Sequence, residues 1–101
     1  MTIAIDDYVF ETLMRDLSEH ERSSAAFLVY LYIWAKTMAH ETPRRVPMSY
    51  QALADATGLS KTGVQNAVRL LKRRRLLTSL NKSKTATPEY RVERPWKRRG
   101  N

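Results

Sequence analysis

The chain has 101 residues, 43% hydrophobic and 28% charged, a composition that suits one globular domain and excludes a disordered polyelectrolyte. Having no cysteine, it is excluded from disulfide and thiolate-metal chemistry. Its net charge of +8 is split, because residues 1–42 carry three basic and seven acidic side chains (net −4) and residues 43–101 carry fifteen basic and three acidic ones (net +12). A surface built only for solubility mixes its signs, so the split points to a polyanion as partner of the C-terminal part. The longest apolar run, Ala25 to Ala35, is interrupted by tyrosines and is shorter than the roughly 20 residues of a membrane span. The opening MTIAIDDYVF lacks the basic start of a secretory signal. A soluble, cytoplasmic protein is therefore expected, with no membrane contact.

Ile5, Val9, Leu13 and Leu17 recur every fourth residue with Phe10 and Met14 beside them, which predicts a helix from Asp6 or Asp7 to Leu17. The two aspartates suit its N-terminus. The segment from Leu17 to Arg22 breaks the pattern and reads as a connection. Ser23 or Ser24 can cap a longer helix that reaches about Ala39 and ends before Pro43. On it Phe27, Tyr30, Leu31, Trp34 and Met38 share a face, widened by Leu28, Ile33 and Ala35, so this helix is the expected core element. Aromatics at helical spacing read as packing rather than as a ligand pocket. His20 and His40 lie in or beside connections, without a partner at metal-ligand spacing. Thr42–Met48 holds two prolines and cannot be helical, and Arg45-Val46 is expected to form an edge strand.

The next segment, SYQALADATGLSKTGVQNAVRLLKRRRLL from Ser49 to Leu77, predicts two helices joined by a turn. Ser49 caps the first, Tyr50–Thr57, and Gly58 supplies the left-handed conformation that ends it. Leu53 and Leu59 face inward, and Ala54 is small where the second helix approaches. Ser60 caps that second helix, whose inner face is Val64, Ala67, Val68 and Leu71. Leu76, Thr78 and Leu80 then alternate with Leu77 and Ser79 as a strand. Asn81–Pro88 is a polar, basic loop, and Tyr90–Arg94 returns as a second strand with Tyr90 and Val92 inward.

Ala54, Gly58, Leu59 and Val64, with Leu53 before them, resemble the core pattern of the helix-turn-helix motif of bacterial and phage regulators. The continuation VRLLKRRRLLTSL…TPEYRVERPW resembles the second half of a winged-helix domain, as in the GntR and MarR families and in replication-protein helix-turn-helix modules. The resemblance covers about residues 24–94. It implies a mainly α fold with a small β-hairpin, a winged helix-turn-helix with an extra N-terminal helix. The expected organisation is one domain: a helical extension over 1–22, the winged-helix core over 23–94 and a basic tail over 95–101. One departure stands out. Regulators of this kind usually place glycine where Arg75 precedes Leu76-Leu77, and a left-handed arginine costs about 1 kcal/mol more than glycine. Either the helix ends differently or the charge is kept for a phosphate.

With its apolar residues inward, the second helix projects Lys61, Thr62, Gln65, Asn66 and Arg69 outward. Asn and Gln can pair bidentately with adenine, and Lys and Arg suit guanine, so Lys61, Thr62, Gln65 and Asn66 are the candidates for reading base edges. Gly63 has no side chain to obstruct the groove. Ser60, Arg69 and Arg73, with the flanking Lys72, Arg74 and Arg75, are candidates for the phosphate backbone. Ser49 and Tyr50 at the preceding helix start, Arg44 and Arg45 before them, and Lys82 and Lys84 in the loop complete the phosphate set. The tail from Trp96 to Arg99 can follow a groove or be disordered.

These residues lead to an expectation of sequence-specific double-stranded DNA binding, with a helix of about residues 60–74 in the major groove and a basic wing of about residues 81–88. The expected role is a transcriptional regulator; a replication-initiator or plasmid- or phage-maintenance module is the alternative. A small RNA-binding protein and a winged helix used only for protein contacts are rivals. Base-reading RNA modules tend to expose aromatics for stacking, whereas here the aromatics sit in the core pattern. An enzyme is not expected: the chain has two unpartnered histidines, three glycines and no phosphate-cradling loop. No cofactor, metal or small-molecule effector is implied. Phe10 and Met14 can either form a homodimer seam or complete the core. The target sequence and the regulated process are not written in these residues.

Overall fold

The computed structural model describes residues 2–38 and 44–97; Ala39, His40, Thr42 and Pro43 and the tail residues Arg98 and Arg99 lie outside them. The N-terminal helix is wound in two wide-turn π stretches, Val9–Leu13 and Asp16–His20, joined through Met14 and Arg15 in right-handed helical geometry. Apolar residues four apart would drift by about 40° per step around an ideal α-helix. The wider i→i+5 turns take up that drift. Val9, Leu13 and Leu17 consequently face the core together, each 3% exposed or less. The helix thus runs through Leu17 to His20, correcting the connection expected there. Asp16 and His20, one turn apart, share a 2.8 Å hydrogen bond that favours continuation. The chain turns at Arg22 (φ 52°), with the Ser23 amide donating to the Leu17 carbonyl at 2.8 Å. Asp6 does not cap this helix. Its carboxylate instead accepts from Arg94 (3.2 Å) and from the Trp96 indole (3.1 Å).

Helix α1, Ser24–Thr37, is capped by Ser23, whose Oγ accepts from the Ala26 amide at 3.0 Å. Phe27, Val29, Tyr30, Ile33 and Trp34 are buried, but Leu28 is 44% exposed, so it does not widen the core face as expected. Nearly every residue from Ala25 to Ala35 is apolar, and a helix without a polar face gives periodicity nothing to select. The aromatics reach the core with their polar ends satisfied. Tyr30 donates its hydroxyl to the Glu93 carbonyl (2.9 Å), and Trp34 donates Nε1–H to the Ala4 carbonyl (2.9 Å). Burial raises the Tyr30 phenol well above its usual range, which keeps that hydroxyl a donor.

Helices α2 (Tyr50–Thr57) and α3 (Lys61–Arg73) pack on α1 and on each other, next to a three-stranded antiparallel sheet. Its strands are β1 (Val46–Pro47), β2 (Leu77–Leu80) and β3 (Glu89–Val92) in the order β1-β3-β2. Val46 pairs with Tyr90, and Leu77 with Val92. Strand β1 starts one residue later than expected; Pro47 is accommodated because β1 is an edge. Tyr90 and Val92 are buried as expected. Strand β2 departs from its expected alternation, since Leu76 and Leu77 are both buried and Leu80 is 47% exposed. The reason lies at the end of α3. Arg75 has φ 59°, its amide donates to the Lys72 carbonyl (3.0 Å), and the Leu76 amide donates to the Leu71 carbonyl (2.9 Å). These two bonds form a Schellman closure with arginine in the glycine position, and its usual hydrophobic partners, Leu71 and Leu76, are both buried. Leu76 is consumed by the cap, so the strand proper begins at Leu77.

The chain is therefore mainly α with one small antiparallel sheet and a single continuous core. The N-terminal helix contributes Val9, Leu13 and Leu17 to that core. Trp96, expected in a basic tail, instead stacks on Tyr8 with ring centroids 4.5 Å apart. Among the described residues, no helix is long and apolar enough to cross a membrane.

Candidate nucleic-acid interface

The α2–α3 pair is set by short-range hydrogen bonds. Ser49 Oγ accepts from the Ala52 amide (3.0 Å), and Gly58 closes α2 at φ 78° with its amide on the Ala54 carbonyl (2.9 Å). Nothing lies within 4 Å of a Cβ placed on Gly58, so the glycine is required by its backbone angle alone. Leu59 is half-buried against the core in the turn. Ser60 Oγ then accepts from the Gly63 amide (2.9 Å). A Cβ on Gly63 would come within 3.1 Å of that oxygen, so the cap itself favours glycine there.

Helix α3 is sharply two-sided. Val64, Ala67, Val68 and Leu71 are 1% exposed or less. Lys61, Thr62, Asn66, Arg69, Lys72 and Arg73 are exposed, and Gln65 is half-buried at the boundary. The whole helix contains no carboxylate. Of the four base-reading candidates, Lys61, Thr62 and Asn66 thus stand open to solvent, and Gln65 is half-buried. Arg69 Nη1 donates to Asn66 Oδ1 at 3.1 Å. That oxygen keeps a second lone pair, and the Asn66 side-chain NH2 remains available as a donor.

The phosphate candidates divide into paired and unpaired groups. Arg73 lies 3.4 Å from Glu21, and Arg74 bridges Asp16 and Glu21 (2.9 Å to the latter), tying the end of α3 to the N-terminal helix. The His20 and Arg74 hydrogen bonds hold the Asp16 carboxyl below its usual range. Lys82 meets Glu89 at 3.2 Å but is 69% exposed, a pair weak enough to exchange for a phosphate. Lys61, Arg69, Lys72, Arg75 and Lys84 have no carboxylate partner among the described residues. Arg44 is exposed, with its amide on the Thr37 carbonyl (3.3 Å), while Arg45 is half-buried with Nη1 3.4 Å from Thr78 Oγ1.

Ser49, Tyr50 and Lys61 meet with Thr87, Pro88 and Tyr90 around a cleft of about 270 Å³. This cleft joins the start of α2, the start of α3 and the base of the β2–β3 loop. Ser49 Oγ accepts in its own cap, which leaves its O–H to donate, and Tyr50 is half-buried. Burial, and then the adjacent Tyr50, raise the Tyr90 phenol above its usual range. The β2–β3 loop carries Lys82 and Lys84 exposed at its tip, with Ser83 Oγ accepting from the Ala86 amide (3.1 Å).

Sequence reasoning missed a second groove of about 690 Å³ at the far end of α3, lined by Lys72, Arg75, Arg91, Arg94 and Lys97 with Glu93. The signal for Arg91 was present, since it alternates with Tyr90 and Val92 and so faces outward. The convergence with Lys72 and Lys97 is not visible in sequence because it depends on the register of β3. Among the described residues, no three His, Asp or Glu side chains are grouped to hold a metal. Neither a protein-family model, nor a curated protein, nor a solved structure matches the chain.

Proposed function

We propose that this chain is a winged helix-turn-helix protein that binds double-stranded DNA sequence-specifically, with α3 in the major groove and the Asn81–Pro88 loop as a basic wing. The observation that carries this reading is the outer face of α3. It presents Lys61, Thr62, Asn66 and Arg69 to solvent, with Gln65 at its edge and no carboxylate anywhere on the helix. Amides and hydroxyls flanked by cations match what a base edge bordered by phosphates requires. Lys61, Thr62, Gln65 and Asn66 would read bases; Arg69, Lys82 and Lys84 would position the duplex. Arg44, Arg45, Ser49, Tyr50 and Ser60 would add backbone contacts near the start of α2 and α3. A cytoplasmic transcriptional regulator is the role we favour, acting as a homodimer through Phe10 and Met14, which are 47% and 41% exposed on the N-terminal helix.

Anisotropy titrations against labelled duplex DNA, single-stranded DNA and structured RNA at two salt concentrations test the reading. Duplex DNA is expected to bind most tightly, with affinity falling steeply as salt rises. Tighter binding to structured RNA, or no binding to duplex, would overturn it.

A further inference from the structure

We propose that the groove at the C-terminal end of α3 is a second phosphate-binding site, one that engages the duplex backbone beside the groove entered by Lys61, Gln65 and Asn66. The inference rests on the DNA-binding reading and adds a contact region to it. About 690 Å³ is enclosed by Lys72, Arg75, Arg91, Arg94, Lys97 and the one carboxylate of the lining, Glu93. Glu93 is already engaged by Thr78 Oγ1 (2.8 Å) and Arg91 Nε (3.0 Å), and Arg94 by Asp6 (3.2 Å). That leaves Lys72, Arg75 and Lys97 exposed around the groove with no carboxylate within salt-bridge distance among the described residues.

Arg75 is the second observation. It occupies the left-handed position of a Schellman closure at φ 59°, where glycine is favoured. A cation held there against the backbone's preference, facing a groove with two more cations that have no carboxylate partner (Lys97, and Lys72, whose ammonium lies 5.9 Å from the Tyr90 ring centroid), is placed for an anion. The spacing fits a duplex. Lys72 follows Lys61 by eleven residues, about 16 Å along the helix axis, and points within about 20° of the same direction. The major groove is about 12 Å wide, so a helix entering by its first turns carries Lys72 and Arg75 to the flanking backbone.

Arg75→Gly separates the two roles of this residue. It is expected to raise the melting temperature, because the backbone is relieved, and to weaken duplex binding. At 0.1 M salt the loss is up to about eightfold for one phosphate contact, with the slope of log affinity on log salt reduced by about 0.9. Lys72→Gln should reproduce the binding loss and the smaller slope without a rise in melting temperature. Excess inorganic phosphate at constant ionic strength should not reproduce the loss, because the groove needs phosphates held in a duplex array; full competition by it would assign the groove to free phosphate. Unchanged affinity and slope in both variants, with Asn66→Ala still impaired, would overturn the second site alone. Absence of duplex binding by the unaltered protein would overturn both readings.

Discussion

Asn66 and Arg69 show how much of the proposed base-reading role rests on single atoms. Their 3.1 Å hydrogen bond holds Asn66 Oδ1, one of the two atoms needed for adenine pairing. Asn66→Ala is expected to cost about 1–3 kcal/mol on a selected duplex site and almost nothing on random duplex, as measured by paired anisotropy titrations. Lys84 is a different kind of residue, exposed and without a carboxylate partner among the described residues. Lys84→Ala should weaken all sequences alike and lower the salt slope by about one. These outward side chains were legible because α3 alternates four apolar positions with polar ones, and helix geometry assigns the rest. Which cations are free was not legible. Arg73 and Arg74 look equivalent to Arg69 in sequence, yet both are drawn to Glu21, more than fifty residues away.

At the scale of elements, α2 and α3 follow from local rules and α1 does not. Ser49, Gly58 and Ser60 each act on a backbone group within four residues, so their roles can be read directly. Gly58→Ala should cost about 1 kcal/mol in urea unfolding, all of it conformational, because no atom obstructs the new methyl. The end of α3 departed from the expected glycine but not from the expected geometry. The Schellman bonds form around Arg75 because burying Leu71 and Leu76 together outweighs a strain of about 1 kcal/mol. Between elements, the strongest polar tie joins Arg74 to Asp16 and Glu21. Arg74→Ala should destabilise the protein by about 1 kcal/mol in urea unfolding, since Asp16 and Glu21 would keep only their more exposed partners, His20 and Arg73. Asp16 is held below its ordinary value of 3.8, first by His20 and then by Arg74. A depressed carboxyl contributes stability above its unfolded pKa and loses it as pH falls through the folded one. Urea midpoints should therefore drop as pH is lowered below about 4, and Asp16→Asn should flatten that drop.

Across the whole molecule, part of the −4/+12 charge split is used inside the fold, and the remainder bears on the proposed partner. Three acids of the N-terminal part, Asp6, Asp16 and Glu21, are paired internally with Arg94, Arg73 and Arg74, clamping the N-terminal helix to the basic half. Among the described residues, Lys61, Arg69, Lys72, Arg75, Lys84 and Lys97 have no carboxylate partner, and they lie on the outer face of α3, in the loop tip and in the groove beside Arg75. The N-terminal helix completes the core through Val9, Leu13 and Leu17, and leaves Met14 and one face of Phe10 exposed, the Phe10 ring lying edge-on to buried Phe27 (centroids 6.3 Å apart). Light scattering is expected to give a dimer mass, and Met14→Ser, which leaves the Phe10–Phe27 ring contact in place, a weakened dimer with little change in melting temperature. A monomer for the unaltered protein at high concentration would remove the dimer. Composition, helical periodicity and turn residues were enough for a mainly α chain with a small sheet, the serine and glycine caps of α1, α2 and α3 and the two faces of α3, because each depends on neighbours a few residues away. The pairing of Arg74 with Asp16, the packing of Trp96 on Tyr8, the exposure of Leu28 and the groove at Arg75 came only with the packed chain. Each depends on which distant surfaces are pressed together, and a one-dimensional pattern carries no distance between them.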